Sequence, residues 1–233
     1  MKRVALGILI MCLGAVSLWA EADPTFIYRG SRLKHRVSLT FDDGPKSELS
    51  GELLDVLKKY DVKATFLVVG KECLFNPDML KRISVEGHDI ANHSYSHLRL
   101  DTLTEQQIEL ELSSTNDIVL TLTGKKMVYF RPPGGRYNAM VAQIAARNNL
   151  AMLMWDVNTG DYSVFSPKSS IKSPQEVEEK TQVLFDRVMK HVRNGSIILM
   201  HNGSIETLNV LPRVIVALKE AGYEIVPVSE LLQ

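Results

Sequence analysis

The 233-residue chain predicts an α/β fold: a closed or nearly closed (β/α) barrel of about seven parallel strands, with a doubly wound open sheet as the second architecture. Short β-rich runs alternate with helical segments along the chain, which is the signature of a parallel sheet. The runs are largely apolar from end to end, as strands covered on both faces are. Nor does any second block of different pattern interrupt them, so residues 23–233 read as one domain around one core.

The N-terminus stands apart. Lys2-Arg3 precedes an uncharged, mostly apolar run from Val4 to Trp19, and Ala20-Glu21-Ala22 follows as an A-x-A cleavage site. Residues 1–22 therefore read as a signal peptide cut after Ala22, with an uncleaved anchor as the alternative. The apolar run falls short of the roughly 20 residues that a membrane span needs, so no stable span is expected after cleavage. Export to a periplasm, a cell envelope or the medium follows.

The β-rich runs, in order, are 36–41, 64–70, 88–93, 127–132, 151–156, 196–201 and 223–229. Between the first two, a helix opens at Ser47, spaces Leu49, Leu53, Leu54 and Leu57 along one face and ends in Lys58-Lys59, which suit a helix C-terminus. A second helix takes Thr104 as N-cap and stops at Gly124; a third starts near Ser173-Pro174 and stops at Gly195. Phe26, Tyr28 and their neighbours form a lead with no readable role.

Composition narrows the function. Lysine plus arginine number 27 and aspartate plus glutamate 27, a formal net charge of zero, so neither nucleic acid nor a strongly acidic polymer is indicated as partner. Of the two cysteines, Cys12 leaves with the leader, and Cys73 alone forms no internal disulfide. Cys73 reads as a small packing residue.

In either architecture the active site lies at the carboxyl ends of the strands. Chemistry-bearing residues collect there: Asp42-Asp43 after the first run, "NHSYSH" after the third, "RPPGG" after the fourth, "WDVNTGDY" after the fifth and "LMHNG" after the sixth. His93 and His97, four apart, would share one face of a helical turn and supply two ligands to a metal. Two imidazoles and one carboxylate with positions left for water describe an open catalytic zinc site. The tandem aspartates then divide the work, one ligating and its neighbour acting as general base. Arg131 can pair with the free carboxylate and aim it. Glycines after the prolines let backbone N–H groups serve an oxyanion. His201, emerging from a buried strand, suits a general acid, with Asp156 and Asp161 as candidate partners. A phosphate-handling barrel is disfavoured, because no glycine-rich loop opens a helix.

"TFDDGP", "HSYSH", "RPPGG", "DVNTGDY" and "LMHN", in this order over residues 40–202, resemble the motifs of the NodB-like polysaccharide deacetylases, carbohydrate esterases with a distorted (β/α) barrel. The resemblance implies Asp42 as general base and Asp43, His93 and His97 as ligands of a divalent metal, usually Zn2+, with Co2+ as an alternative. It also implies Arg131 orienting Asp42, the backbone N–H of Gly134 holding the oxyanion, His201 as general acid tuned by Asp161, and Leu199 lining the acetyl pocket. Gly134 and Tyr162 depart from the family pattern, in places where an aromatic residue and a tryptophan are usual; both border the substrate groove. The implied activity is metal-dependent removal of N-acetyl groups from a polysaccharide, peptidoglycan before chitin-type oligomers. An O-acetyl esterase or a non-catalytic carbohydrate-binding relative are the alternatives, the latter disfavoured by the presence of Asp42 and His201.

Blander expectations cover the remainder. His88 reads as structural, His35 and His191 as exposed, Trp155 as core, and the loop from Tyr162 to Pro174 as long enough for a groove wall.

Overall fold

A computed structural model describes residues 23–164 and 173–233. The expected leader, with Cys12, lies outside them, as does most of the expected groove wall. Among the described residues nine strands form one parallel sheet: β1 (Phe26–Ile27), β2 (Arg36–Gly44), β3 (Thr65–Val68), β4 (Asp89–Asn92), β5 (Tyr129–Phe130), β6 (Ala151–Leu153), β7 (Val157–Asn158), β8 (Ile197–His201) and β9 (Glu224–Ile225). Their order is β1-β6-β5-β4-β3-β2-β8-β7, with β9 paired to the start of β2. Each of the seven expected runs overlaps one strand, with β2 running past residue 41 to Gly44. The two additions, β1 and β7, are two residues each.

The sheet curls toward closure. At the seam between β1–β6 and β7–β8 the chain after β1 crosses over: Gly30 N–H donates to the Gly195 carbonyl, and Arg32 bonds the Asp156 carboxylate and the Asn194 carbonyl. This nearly closed barrel decides against the open sheet.

Among the described residues the α-helices are α1 (Ser47–Lys59), α2 (Gly70–Phe75), α3 (Pro77–Val85), α4 (Glu105–Thr123), α5 (Ala139–Arg147), α6 (Asp161–Val164), α7 (Pro174–His191), α8 (Ile205–Glu220) and α9 (Val228–Leu231). Thr104 caps α4 through a reciprocal pair with Gln107, and left-handed Gly124 ends it. Ser173 caps α7 in the same way with Glu176, but that helix stops at His191, short of Gly195, because Val192 turns extended. The expected seventh run likewise yields two strand residues and then α9.

Alternation along the strands sorts side chains into two cores. Val37, Leu39 and Phe41 of β2 join Phe66, Val68, Ile198 and Met200 against the helices. The opposite parity faces the barrel interior, where Leu67, Ala91, Leu153 and Ile197 pack on Val228 and Leu231 of α9, which plugs the amino-terminal end. Above this small apolar plug the interior turns polar, and there the functional residues converge.

Candidate active site

β2 runs straight into the site. Ser38, Thr40 and Asp42 share its interior face, and all three are buried. Asp43 takes a left-handed backbone (φ 74°), which turns its carboxylate away from its neighbour's path. The next residue must be small, because a Cβ on Gly44 would collide with the Asn202 side chain.

His93 and His97 leave β4 on a loop, not on the helical turn that their spacing suggests: Ser94 (φ 64°) and His97 (φ 59°) are both left-handed. Side chains hold that loop. Asn92 Oδ1 accepts from Ser94 N–H, Ser94 Oγ accepts from His97 N–H, and Glu111 of α4 accepts from the N–H groups of Tyr95 and Ser96. The two rings still converge, with His97 Nε2 3.0 Å and His93 Nε2 3.3 Å from Asp43 Oδ1.

Those three atoms fit a cation. His93 Nδ1 lies 2.7 Å from the Arg131 carbonyl, which can only accept, so Nδ1 carries a proton and Nε2 is the nitrogen that would face a cation. Asp43 Oδ1 is buried without a hydrogen-bond partner although two ring nitrogens approach it. Converging lone pairs repel unless a positive charge sits among them. Asp43, His93 and His97 are the one such cluster among the described residues. Without a cation the same contacts can only be made by protonated imidazoles: burial opposes the charge on Asp43, but hydrogen bonds and charge from His93 and His97 then outweigh it and hold the carboxyl below the usual range, and Asp43 in turn raises His97.

Arg131 follows β5 and is wholly buried. Its Nη1 bonds Asp42 Oδ1 at 2.6 Å and Thr40 Oγ1 at 3.0 Å, while Nε and Nη2 bond the carbonyls of Leu153 and Met154. With one oxygen held there, Asp42 turns Oδ2 toward the centre, 3.7 Å from His93 Nε2.

Asp42 and His201 are register partners on β2 and β8, so they flank one opening. His201 Nδ1 donates to Asp161 Oδ1 at 2.8 Å, and the His201 N–H and Thr207 hydroxyl donate to Asp161 Oδ2. Burial would lower the imidazole; Asp161, aided by Asp42 and Asp43, instead raises it to about 9. Of the two candidate partners the structure selects Asp161, because Asp156 is turned to the seam and bonds Arg32, Ser196 and the Ile197 N–H.

A cavity of about 350 Å³ opens over this centre, lined by Asp42, Asp43, His93, His97, Gly134 and His201, with Leu199 as apolar lining. Tyr162 lines it too, its ring 5.1 Å from that of His201. A second lobe of about 360 Å³ shares Asp43, His97, Tyr162 and His201. The groove therefore runs through the centre. Arg131 and Asp161 stand behind it, backing Asp42 and His201.

Trp155, expected in the core, lies half-buried in the cavity wall, beside Gly135 and over the Arg131 guanidinium at 5.4 Å. Its signal was parity: it sits two residues beyond inward-facing Leu153. Asn158, Arg187 and Glu111 were also missed, and no spacing marks them. His88 is buried as expected, its Nδ1 accepting from Ala64 N–H and its pKa pushed down by burial to about 4. Cys73 is buried, its thiol pushed up to about 12.

Comparison with known proteins agrees in sequence and shape. The family model described as polysaccharide deacetylase matches residues 29–153. The peptidoglycan-N-acetylmuramic acid deacetylase PdaA of Bacillus subtilis is 33% identical over 206 residues, covering 88% of this chain and 74% of the relative. The solved Bc1960 peptidoglycan N-acetylglucosamine deacetylase superposes with a TM-score of 0.81 at 30% identity, over 90% of this chain and 94% of that one. A CE4 family pseudoenzyme from Bacillus anthracis superposes with a TM-score of 0.80 at 33% identity, over 91% and 70%.

Proposed function

Because the chain belongs to the polysaccharide deacetylase family, we propose that it is an exported, zinc-dependent hydrolase that removes N-acetyl groups from peptidoglycan sugars. One observation carries this reading. An Arg131-aimed carboxylate and an Asp161-backed imidazole face each other across a three-donor cation site. That arrangement suits hydrolysis of an amide, which needs a base for the attacking water and an acid for the leaving nitrogen.

Two imidazole nitrogens and one carboxylate oxygen match zinc, which when bound would polarise the acetamide carbonyl and acidify water. Asp42 Oδ2 takes a proton from the attacking water as its oxygen bonds to the carbonyl carbon. The carbonyl electrons move onto oxygen, where the Gly134 N–H receives the developing charge. Arg131 keeps Asp42 from rotating away. On collapse the C–N bond breaks, and the proton on His201 Nε2 passes to the departing nitrogen. Acetate and a free amino sugar result. Leu199 receives the acetyl methyl group.

Similarity to a pseudoenzyme raises a non-catalytic alternative, which would leave this acid–base pairing without a use. The test is acetate release from purified peptidoglycan and from N-acetylglucosamine oligomers, with chelator and then added zinc. Zinc-restored release is expected, and the amino sugar exposed names the substrate. Sugar binding with no acetate from any substrate overturns the proposal, while release only from O-acetylated polymers redirects it to an esterase.

A further inference from the structure

The first turn of α8 reaches back to the acid side of the centre. After His201 ends β8, the chain reverses at Gly203 (φ 103°), and Ser204 caps α8 by accepting from the Thr207 N–H. Thr207, the third residue of the helix, is buried. Its hydroxyl donates to Asp161 Oδ2 at 2.5 Å.

Among the described residues, the other donors to Asp161 belong to His201 and to adjoining Tyr162. His201 gives Nδ1–H to Oδ1 at 2.8 Å and its backbone N–H to Oδ2 at 2.7 Å, and the Tyr162 N–H donates to Oδ1 at 2.9 Å. Thr207 is thus the one side chain besides His201 that bonds this carboxylate. It comes from a helix whose Val210, Leu211 and Val214 are wholly buried, so its hydroxyl is a fixed reference. Burial opposes the charge on Asp161, but the bonds from His201 and Thr207 outweigh it and hold the carboxyl below the usual range. The amino-terminal end of α8 favours the same charge.

A general acid works only while its donor atom points at the leaving group, because the proton crosses a hydrogen-bond distance. We propose that Thr207 is a positioning residue for the acid step: its hydroxyl fixes the Asp161 carboxylate, and through it keeps His201 Nε2 directed into the groove. The inference rests on the deacetylase reading. It adds a residue that stands behind the groove, bonds neither substrate nor cation, and matters only where a leaving group must be protonated.

The test compares zinc-loaded wild type, Thr207→Val and Thr207→Ser on an amide, the better substrate of N-acetylglucosamine hexasaccharide and purified peptidoglycan, and on an ester, para-nitrophenyl acetate. The amide releases an amine, which leaves as the proton from His201 Nε2 reaches it. The ester releases a phenolate, which departs with the bonding pair and needs no proton. Thr207→Val removes the hydroxyl and keeps the shape. It should lower kcat for the amide about tenfold with KM unchanged and change kcat for the ester by less than about twofold, and Thr207→Ser should restore the amide rate. A second readout needs no turnover: in NMR spectra of protein with isotope-labelled histidine, the His201 Nδ1–H signal should broaden by exchange with water in Thr207→Val and return in Thr207→Ser. A wild type that releases no acetate from any substrate yet shows this NMR pattern refutes the deacetylase reading and leaves the positioning role standing. Equal losses on amide and ester, no loss on either, a serine variant as slow as the valine one, or an unchanged Nδ1–H signal would overturn that role. Should Thr207→Val not fold, Thr207→Ala reads the same quantities.

Discussion

Asp42 and Asp43 are adjacent like charges that the fold separates: Asp42 stays in the strand and meets Arg131, while Asp43 turns to the histidines at positive φ. Arg131 is buried with four hydrogen bonds, so replacing it with leucine strands Asp42 without its partner and should cost about 3–5 kcal/mol in denaturant unfolding. The other pair gives a pH signature. His201 is raised to about 9 by Asp161, so the pair's stabilisation is fully present below the ordinary imidazole range and fades as pH rises through about 9. The alkaline limb of the rate profile should follow the same proton, falling off near pH 9, and Asp161→Asn should shift that limb to lower pH. Residue types at the strand ends were legible in the sequence because few other groups do this chemistry. Partner choice was not: Asp156 and Asp161 are five apart, and only the seam contacts of Arg32 and Ser196 remove the former.

At the scale of elements, what the sequence revealed depended on length and on caps. α4 was readable from Thr104 to Gly124 because both ends carry their own signals. β1 and β7, two residues each, are too short to show a period, and they exist through pairing with β6 and β8. The loop after β4 was misread for a related reason. Spacing alone favours a helical turn, but side-chain bonds from Asn92, Ser94 and Glu111 hold a left-handed path that delivers both rings to one point. Glu111 thus acts on the cation site through backbone N–H groups. Glu111→Ala should weaken zinc binding about 10- to 100-fold in calorimetry while leaving the sheet intact by circular dichroism.

For the molecule as a whole, alternation of apolar runs with helices was enough to indicate the barrel, and strand-end chemistry to indicate its working face. Curvature was invisible, because it follows from long-range closures such as Gly30 to Gly195. With it went the inward parity that carries Trp155 to the cavity. A cation held by residues from β2 and the β4 loop ties these segments together only in the folded state. At a hundredfold excess over its dissociation constant, zinc should therefore add about 2.7 kcal/mol of stability, seen as a raised Tm that Asp43→Ala abolishes. The most direct measurement compares acetate release by zinc-loaded wild type and Asp42→Asn, with bound zinc quantified in both. The account predicts equal zinc and a loss of at least about 100-fold in rate for the variant. A variant that holds its zinc and hydrolyses at the wild-type rate would contradict it.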